Sequence, residues 1–468
     1  MKTPVCAVLD IGKTNKKVFL FDENYRIVLE KSGQFPETTD EDGDPCENVD
    51  LLTDWVIQSL QEVLLLEEYD VKAINFSTYG ASFVHVGEDG KPVAPLYNYL
   101  KPYPEALKKQ FYDTYGGEQE FSRKTASPIL GSLNSGMIIY RLKHENPALF
   151  EKIKYSLHLP QYISSLISGQ FASDITSIGC HTNLWDFDTN DYHAWVSNEQ
   201  IGDKLAPIQS ADVISTHVLN EQERIVGVGL HDSSSALIPY LVSFLEPFVL
   251  ISTGTWCISL NPYNHTPLTA EELQYDCLCY MQYNGKPVKA SRLFAGYEHE
   301  QQTKRLAAHF NKDLDFYKKV AFNAAIIHQL KTEKKNEGID FERLSKPPMT
   351  EGLFGKRDLS AFESYEQAYH QLILDIVNQQ IISTELVLRG STVKRIFVDG
   401  GFSKNPIYMN LLAGAFPDLE VFAASVAQAT SLGAALSIHR HWNTKTLPPD
   451  LIDLRFYNGH LSLDGLAL

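Results

Sequence analysis

Val5-Cys6-Ala7-Val8-Leu9-Asp10-Ile11-Gly12-Lys13-Thr14-Asn15-Lys16-Lys17-Val18-Phe19-Leu20-Phe21-Asp22 decides the fold. Val5–Leu9 reads as a strand, Asp10–Lys16 as a polar loop, Lys17–Asp22 as a second strand and Arg26–Ser32 as a third. The pattern returns in the second half of the chain. Phe248–Ser252 is a strand, Thr253-Gly254-Thr255 a tight polar loop and Trp256–Leu260 the returning strand. Two halves that each open strand–loop–strand predict an α/β chain of two lobes. Their boundary falls in Phe244-Leu245-Glu246-Pro247, giving domains 1–245 and 246–468. No flexible Gly/Ser linker separates them, so the lobes are expected to pack around a central cleft, a natural home for a ligand.

The segments between these repeats fit a mixed sheet covered by helices. Asp50–Tyr69 carries Leu51, Leu52, Trp55, Val56, Leu60, Val63 and Leu64 at helical spacing, and Ala73–Ser77 returns to strand. Phe83–Val86 before Asp89-Gly90 reads as a hairpin edge. The stretch from about 100 to 200 is helix-rich and aromatic. Arg224–Gly229 is a strand, and His231-Asp232-Ser233-Ser234-Ser235 leads into an apolar helix Ala236–Leu245. Ala361–Leu388 is a long helix stopped by Gly390, Lys394–Val398 a strand, and Pro406–Phe416 a helix capped by Asn405 with Pro406 at its first position. Leu419–Ala423 (strand) and Val426–His441 (helix) nearly close the chain.

At 468 residues the chain is too long for one small fold. Lys plus Arg number 41 against 58 for Asp plus Glu, a net charge of −17, which argues against nucleic acid or an anionic membrane as partner while leaving room for a local phosphate pocket. Six cysteines are too few for a disulfide scaffold and read as buried small hydrophobes. No stretch reaches the ~20 apolar residues that span a bilayer, and Met1-Lys2-Thr3-Pro4 leads into a strand without a signal peptide's apolar run. The expectation is a reduced, cytoplasmic protein. Trp185-Asp186-Phe187 with Tyr192 and Trp195 reads as core. Asp40-Glu41-Asp42-Gly43-Asp44 reads as a solvated loop that alternatively shades the cleft or an oligomer contact, and Lys331, Lys334 and Lys335 as a solvated helix face.

Chemistry concentrates in three loops and one carboxylate. In Asp10–Lys17, Gly12 lets the chain turn sharply so that successive N–H groups point at anionic oxygens, Thr14 and Asn15 add donors, and the lysines add positive charge. Asp10 is placed to hold Mg²⁺ through water. Ser252-Thr253-Gly254-Thr255 repeats the logic. Val398-Asp399-Gly400-Gly401-Phe402-Ser403-Lys404-Asn405 is a strand, a double glycine and a helix cap, where a flat ring or a phosphate can approach the backbone. Taken singly, each is also an ordinary turn; together, in order and at matching positions of two halves, they are no longer a weak signal for phosphate-type loops. Asp232 stands where a strand ends and a helix begins. It is either a helix cap or a base that orients a substrate hydroxyl and accepts its proton late.

This order of motifs resembles the FGGY carbohydrate kinases, within the actin/hexokinase/Hsp70 group of two-lobed ATP-binding folds, from Val5 to about His439. The family's first loop, an Asp-x-Gly core with a basic residue seven positions after the Asp, corresponds to Asp10, Gly12 and Lys17. Its second phosphate loop matches Ser252-Thr253-Gly254-Thr255. Its adenosine segment matches Val398-Asp399-Gly400-Gly401 with Asn405, and Ser431-Leu432-Gly433-Ala434-Ala435 its downstream helix. Its catalytic aspartate falls on Asp232. The resemblance implies two ribonuclease-H-like lobes, ATP on Gly12, Lys13, Thr14, Asn15, Lys17, Thr253, Gly254, Thr255, Gly400, Gly401, Ser403 and Asn405, with Mg²⁺ at Asp10. It places sugar on the N-terminal lobe and ATP mostly on the C-terminal lobe, with closure excluding water.

Many family members have Trp-x-Asp-x-Arg where this chain has Tyr97-Asn98-Tyr99-Leu100-Lys101, so the usual acid and guanidinium contacts to sugar hydroxyls are missing or replaced. Asp10–Asn15, Thr78-Tyr79-Gly80-Ala81, Leu96–Tyr99 and Gly131-Ser132-Leu133-Asn134 look like the L-rhamnulose kinase branch, which points to a 6-deoxy-ketose. Tyr79, Gly80, Tyr97, Asn98, Asn134 and His231 are the sugar-site candidates, His231 either touching sugar or bonding a backbone carbonyl. The alternatives are a kinase for L-fuculose, xylulose, ribulose or a polyol, a non-catalytic ATP- or sugar-binding regulator on the same fold, and an actin-like or chaperone ATPase. Pairing of two copies into a homodimer is left open.

Overall fold

The computed structural model describes residues 2–332 and 352–458. Their contacts divide into two compact units. The first comprises the described parts of Met1–Ser243, Cys279–Pro287 and Ala427–Leu451; the second comprises those of Phe244–Leu278, Val288–Val426 and Ile452–Leu468.

The first unit is built on a mixed sheet in the order Ile214–Leu219, Gln222–Gly227, Tyr69–Thr78, Thr3–Ile11, Lys16–Asp22, Ile27–Gly33, with the short strand Leu230–His231 also pairing with Tyr69–Thr78. Thr3–Ile11 runs antiparallel to Lys16–Asp22 and parallel to Tyr69–Thr78. Val5 through Leu9 have no exposed surface, and a strand covered on both faces needs a continuous apolar run instead of an alternating one. Helix Val49–Leu64 begins where the Asn48 side chain accepts from Leu51 N, and it buries Leu52, Val56, Leu60 and Val63 at helical spacing. It is shorter than the sequence pattern suggests, because Tyr69 and Asp70 already belong to the next strand.

The second unit repeats the plan. Six neighbouring strands of its seven-stranded sheet run Pro287–Leu293, Cys257–Asn261, Phe248–Thr253, Arg395–Gly400, Glu420–Ser425, Asp453–Tyr457. The opening strand Phe248–Thr253 is again antiparallel to its successor on one side and parallel to a later strand on the other. This is the expected α/β architecture: in both sheets the loop after the opening strand emerges at the carboxyl end of the parallel strands, where α/β sheets collect ligands. Helix Tyr365–Leu388 is buried nearly all round, including Tyr365, Tyr369, Leu372, Ile373 and Ile376. It carries Asp375, whose carboxylate takes both arms of buried Arg357 at 2.6 and 2.7 Å.

The six cysteines form no disulfide and are buried, and Trp185 and Trp195 lie in the first unit's core with Phe187 and Tyr192 packed against it. Among the described residues no helix is long and apolar enough to cross a membrane. Lys331 belongs to helix Ala324–Thr332, whereas Lys334 and Lys335 lie outside the described residues. The acidic run differs from the expectation of a solvated loop. Asp40 is buried, and the Lys101 ammonium stands 2.6, 2.9 and 3.0 Å from Asp40, Asp42 and Asp44. The physical reason is that Lys101 is itself almost fully buried and requires carboxylates around it.

Candidate active site

In the first unit the loop after the opening strand is closed by Gly12 N donating to Asn15 O at 2.9 Å. A Cβ on Gly12 would stand 3.0 Å from that carbonyl, so this tight turn favours glycine. Asp10 ends the strand, and its Oδ2 accepts from Thr430 Oγ1 at 2.6 Å and Ser431 Oγ at 2.5 Å. Burial raises its carboxyl above the ordinary range; the two hydroxyls and Lys17 pull the other way, and the charge of Asp232 adds to the rise.

The three loop lysines are not free cations. Lys13 pairs with Glu37 at 3.0 Å, Lys17 with Glu30 at 2.9 Å and Lys16 with Glu47 at 2.5 Å. The first two pairs are partly exposed, so a phosphate can take either lysine at small cost. Lys16–Glu47 is buried, and Lys16 also donates to Lys13 O, making it a strut of the loop.

Asp232 opens helix Asp232–Ser243, four residues earlier than Ala236. Burial pushes its carboxyl up to about 6, and the Ser233 N–H and hydroxyl oppose this. His231 lies 3.4 Å from Asp232 through Nε2, but burial drives its imidazole down to about 4, so it is neutral and does not pair ionically. Its ring stacks on Tyr280, its Nε2 faces Cys180 Sγ at 3.5 Å, and its Nδ1 is buried without a partner. Gly80 is required beside it, since a Cβ there would lie 2.4 Å from His231 Nε2. Tyr79 N donates to Ile11 O at 3.0 Å, which brings Tyr79 and Gly80 alongside the Asp10 strand. Asp10, Tyr79, Gly80, His231 and Asp232 thus gather in one place.

The other sugar candidates are engaged elsewhere. Tyr97 donates to Glu41 at 2.5 Å, and Asn98 reaches Glu37 at 3.5 Å while accepting from Leu100 N. Asn134 is fully buried, its amide donating to Pro128 O and His181 O and accepting from Leu130 N. Tyr79 donates to Glu47 at 2.9 Å.

In the second unit, Thr253 and the double glycine interlock. Thr253 Oγ1 donates to Asp399 O and accepts from Phe402 N, and Thr253 O accepts from Gly401 N. Gly400 has φ +91°, and a Cβ there would fall 2.0 Å from Thr253 O. Gly400→Ala is therefore expected to lose at least ~1–2 kcal/mol to left-handed backbone alone, before the carbonyl contact; chemical denaturation checks it. Ser403 Oγ donates to Gly400 O at 2.8 Å, and Asn405 Oδ1 caps the next helix at Ile407 N and Tyr408 N. These residues edge a cavity of about 520 Å³ lined by Thr253, Gly254, Gly401 and Asn405. Thr255, by contrast, is exposed and does not line it.

Sequence reasoning missed the far wall of this cavity: Gly296, His299, Tyr317 and Tyr369. His299 Nε2 and Asn405 Nδ2 both meet the Tyr369 hydroxyl at 2.9 Å. Burial holds the His299 imidazole down at about 4, hence neutral. Gly296 carried a readable signal, because only glycine admits a helix end so close to the polar loop; a Cβ would lie 1.8 Å from Gly254 O.

Three family profiles cover most of the chain: FGGY family of carbohydrate kinases, N-terminal domain, over residues 5–236; Carbohydrate kinase FGGY, C-terminal domain, over 245–333; and FGGY family of carbohydrate kinases, C-terminal domain, over 359–438. The chain belongs to the FGGY family of carbohydrate kinases. As an FGGY kinase it is an ATP-dependent phosphotransferase acting on a carbohydrate alcohol. It is 22% identical over 449 residues to a rhamnulokinase of Oceanobacillus iheyensis, covering 91% of this chain and 90% of that protein. It is 25% identical over 312 residues to an L-fuculokinase of Escherichia coli, covering 61% and 60%. A carbohydrate kinase from Novosphingobium aromaticivorans has the same fold, with TM-score 0.79, 23% identity and 98% and 95% of the two chains covered.

Proposed function

We propose that this kinase phosphorylates a ketose, with the 6-deoxy-ketoses L-rhamnulose and L-fuculose as first candidates. The observation that carries the reading is that curated relatives named for these two sugars match the chain. The two sugars share a methyl end, and aromatic surface suits it: Tyr79 and Tyr99 meet edge-on at 6.1 Å with the Lys13 ammonium 5.8 Å from each ring.

The sugar hydroxyl is taken by the Asp232 carboxylate. Its Oδ1 accepts from Ser233 Oγ at 3.2 Å, and a carboxylate offers about four lone-pair sites, which leaves capacity for the substrate hydroxyl. As the hydroxyl oxygen bonds to the γ-phosphorus and the bond to ADP breaks, the hydroxyl proton passes to Asp232. Neutral His231 adds no charge that would weaken this base. Within the first unit the Gly12–Asn15 loop, with Lys13 and Lys17, is suited to phosphate oxygens; within the second, the Thr253–Asn405 cavity with its His299–Tyr369 wall is suited to a nucleoside.

A magnesium ion fits the donor set, since Mg²⁺ favours one or two carboxylates and retained water. Both hydroxyl bonds to Asp10 fall on Oδ2, which leaves Oδ1 for a hydrated cation, and Asp232 is near enough to act on the Asp10 charge. Bound there, the ion would neutralise phosphate charge. In this reading residues 1–245 carry the sugar and 246–468 most of ATP.

The test is ADP release with Mg·ATP against L-rhamnulose, L-fuculose, L- and D-xylulose, L-ribulose and glycerol. Stimulation by a 6-deoxy-ketose well above the others is expected. A pentulose or glycerol as best acceptor would overturn the deoxy-ketose reading, and flat release with all would point to another acceptor or to binding without transfer.

A further inference from the structure

Asp174, Thr176 and His231 form a hydrogen-bonded chain that ends at the Leu230–His231 peptide, one residue before Asp232. The His231 N–H donates to Thr176 Oγ1 at 3.0 Å. A backbone N–H can only donate, so the threonine oxygen must accept there, and its single hydrogen is left to point elsewhere. It points to Asp174 Oδ1, which also accepts from Thr176 N at 2.9 Å and Ser177 N at 3.3 Å. Asp174 and Thr176 have no exposed surface and His231 has 4%. With Asp174 ionised, the direction of every bond in the chain is set; burial raises that carboxyl to about 7, and its bonds to Thr176 and the local N–H groups pull it down.

The place where this chain attaches matters. Leu230–His231 is a strand of only two residues, registered against Ser77 and Thr78. Immediately after it the backbone turns into helix Asp232–Ser243, whose first residue has no preceding turn to hold it. Thr176 thus fixes the last strand peptide before the carboxylate. Helix Asp232–Ser243 is pinned further along by Ser234 Oγ donating to Met281 O at 2.7 Å and Ser235 Oγ to Thr430 O at 2.7 Å. Of these anchors, the Thr176 bond is the one on the N-terminal side of Asp232.

We infer that Thr176, oriented by Asp174, is a positioning residue for phosphoryl transfer: it holds the His231 peptide so that the Asp232 carboxylate meets the acceptor hydroxyl. The inference rests on the reading of Asp232 as the base. Neither residue has exposed surface to offer a substrate, so their loss should act on kcat more than on either KM. A displacement of about 1 Å at a reacting group can cost on the order of 10²-fold.

The experiment compares Thr176→Val, Thr176→Ser and Asp232→Asn in the full-length enzyme, using ADP release with the best ketose of the panel above and amide hydrogen exchange of the peptide spanning His231. Thr176→Val, nearly isosteric but unable to accept the bond, is expected to lower kcat roughly 10- to 100-fold with both KM values within about 2-fold, and to speed exchange at His231. Thr176→Ser, which keeps the oxygen, is expected to restore both. Thr176→Ala serves the same purpose if the valine variant does not fold. Wild-type kcat in Thr176→Val or Thr176→Ala alongside an inactive Asp232→Asn overturns this inference alone. Full activity in Asp232→Asn overturns the base reading and this inference with it.

Discussion

Asp232→Asn is expected to lower sugar-dependent turnover by roughly 10²- to 10⁴-fold, the range a positioned general base supplies, with ATP binding kept. Asparagine keeps the shape of the side chain and can still accept from Ser233 Oγ, so the helix start is preserved. The cavity proposed for the nucleotide is lined by residues between Thr253 and Pro406 and does not include Asp232, so binding is expected to survive. The pH dependence separates loss of a base from loss of folding. Burial raises the Asp232 carboxyl to about 6, so the proton-accepting form disappears as pH falls through that value, and wild-type kcat should show an acid limb there. The variant's residual rate should lack that limb. A carboxyl whose pKa is raised in the folded state opposes folding above that pKa, and this opposition fades as pH falls. Asp232→Asn should therefore melt at the same temperature as wild type or higher at pH 7, and a lower melting temperature with lost activity would mean that structure, not chemistry, had been removed.

The parts of the site that were legible in the sequence are local. Asp10 with Gly12, Thr253 with Gly254, and Gly400-Gly401 with Asn405 are short polar breaks after apolar strands, and their spacing alone shows that the plan is repeated. The Asp232 helix start was read late because Ser233-Ser234-Ser235 are weak helix formers that favour caps. What escaped depends on partners distant in sequence. Tyr369 sits at core spacing in a long buried helix, and nothing local reveals that its hydroxyl meets His299 and Asn405. Lys13 and Lys17 look like unpaired phosphate ligands until Glu37 and Glu30 are seen beside them. Asn134 has the composition of a sugar contact but spends its amide on three backbone groups. The residue types were visible; what occupies their hydrogen bonds was not.

The acidic run shows the same limit and yields the largest expected effect on stability. Lys101→Met keeps much of the side chain's length and apolar stem but removes the ammonium from among Asp40, Asp42 and Asp44, whose ligand oxygens lie within 4.8 Å of one another. Asp40 has a fully buried side chain, so three carboxylates face each other with less water than they need. Loss of one partner of a buried ion pair costs about 3–5 kcal/mol, against the ~1 kcal/mol expected if this were a solvated loop. The pH dependence identifies the cause. The lysine is held above its ordinary range by the carboxylates, so its contribution is fully present at neutral pH and would be lost only in strong alkali. Asp42 is held below its ordinary range, chiefly by Lys101, so in wild type its contribution is present at neutral pH and lost on acidification through the carboxylate range. In Lys101→Met the sign reverses: protonating the carboxylates relieves their repulsion, so the deficit against wild type should be greatest near pH 7 and shrink as pH approaches about 4. Urea unfolding of the two proteins across that range measures it. A deficit independent of pH would assign the loss to packing of the lysine stem, and no deficit at all would return the run to the solvated loop that its composition suggests.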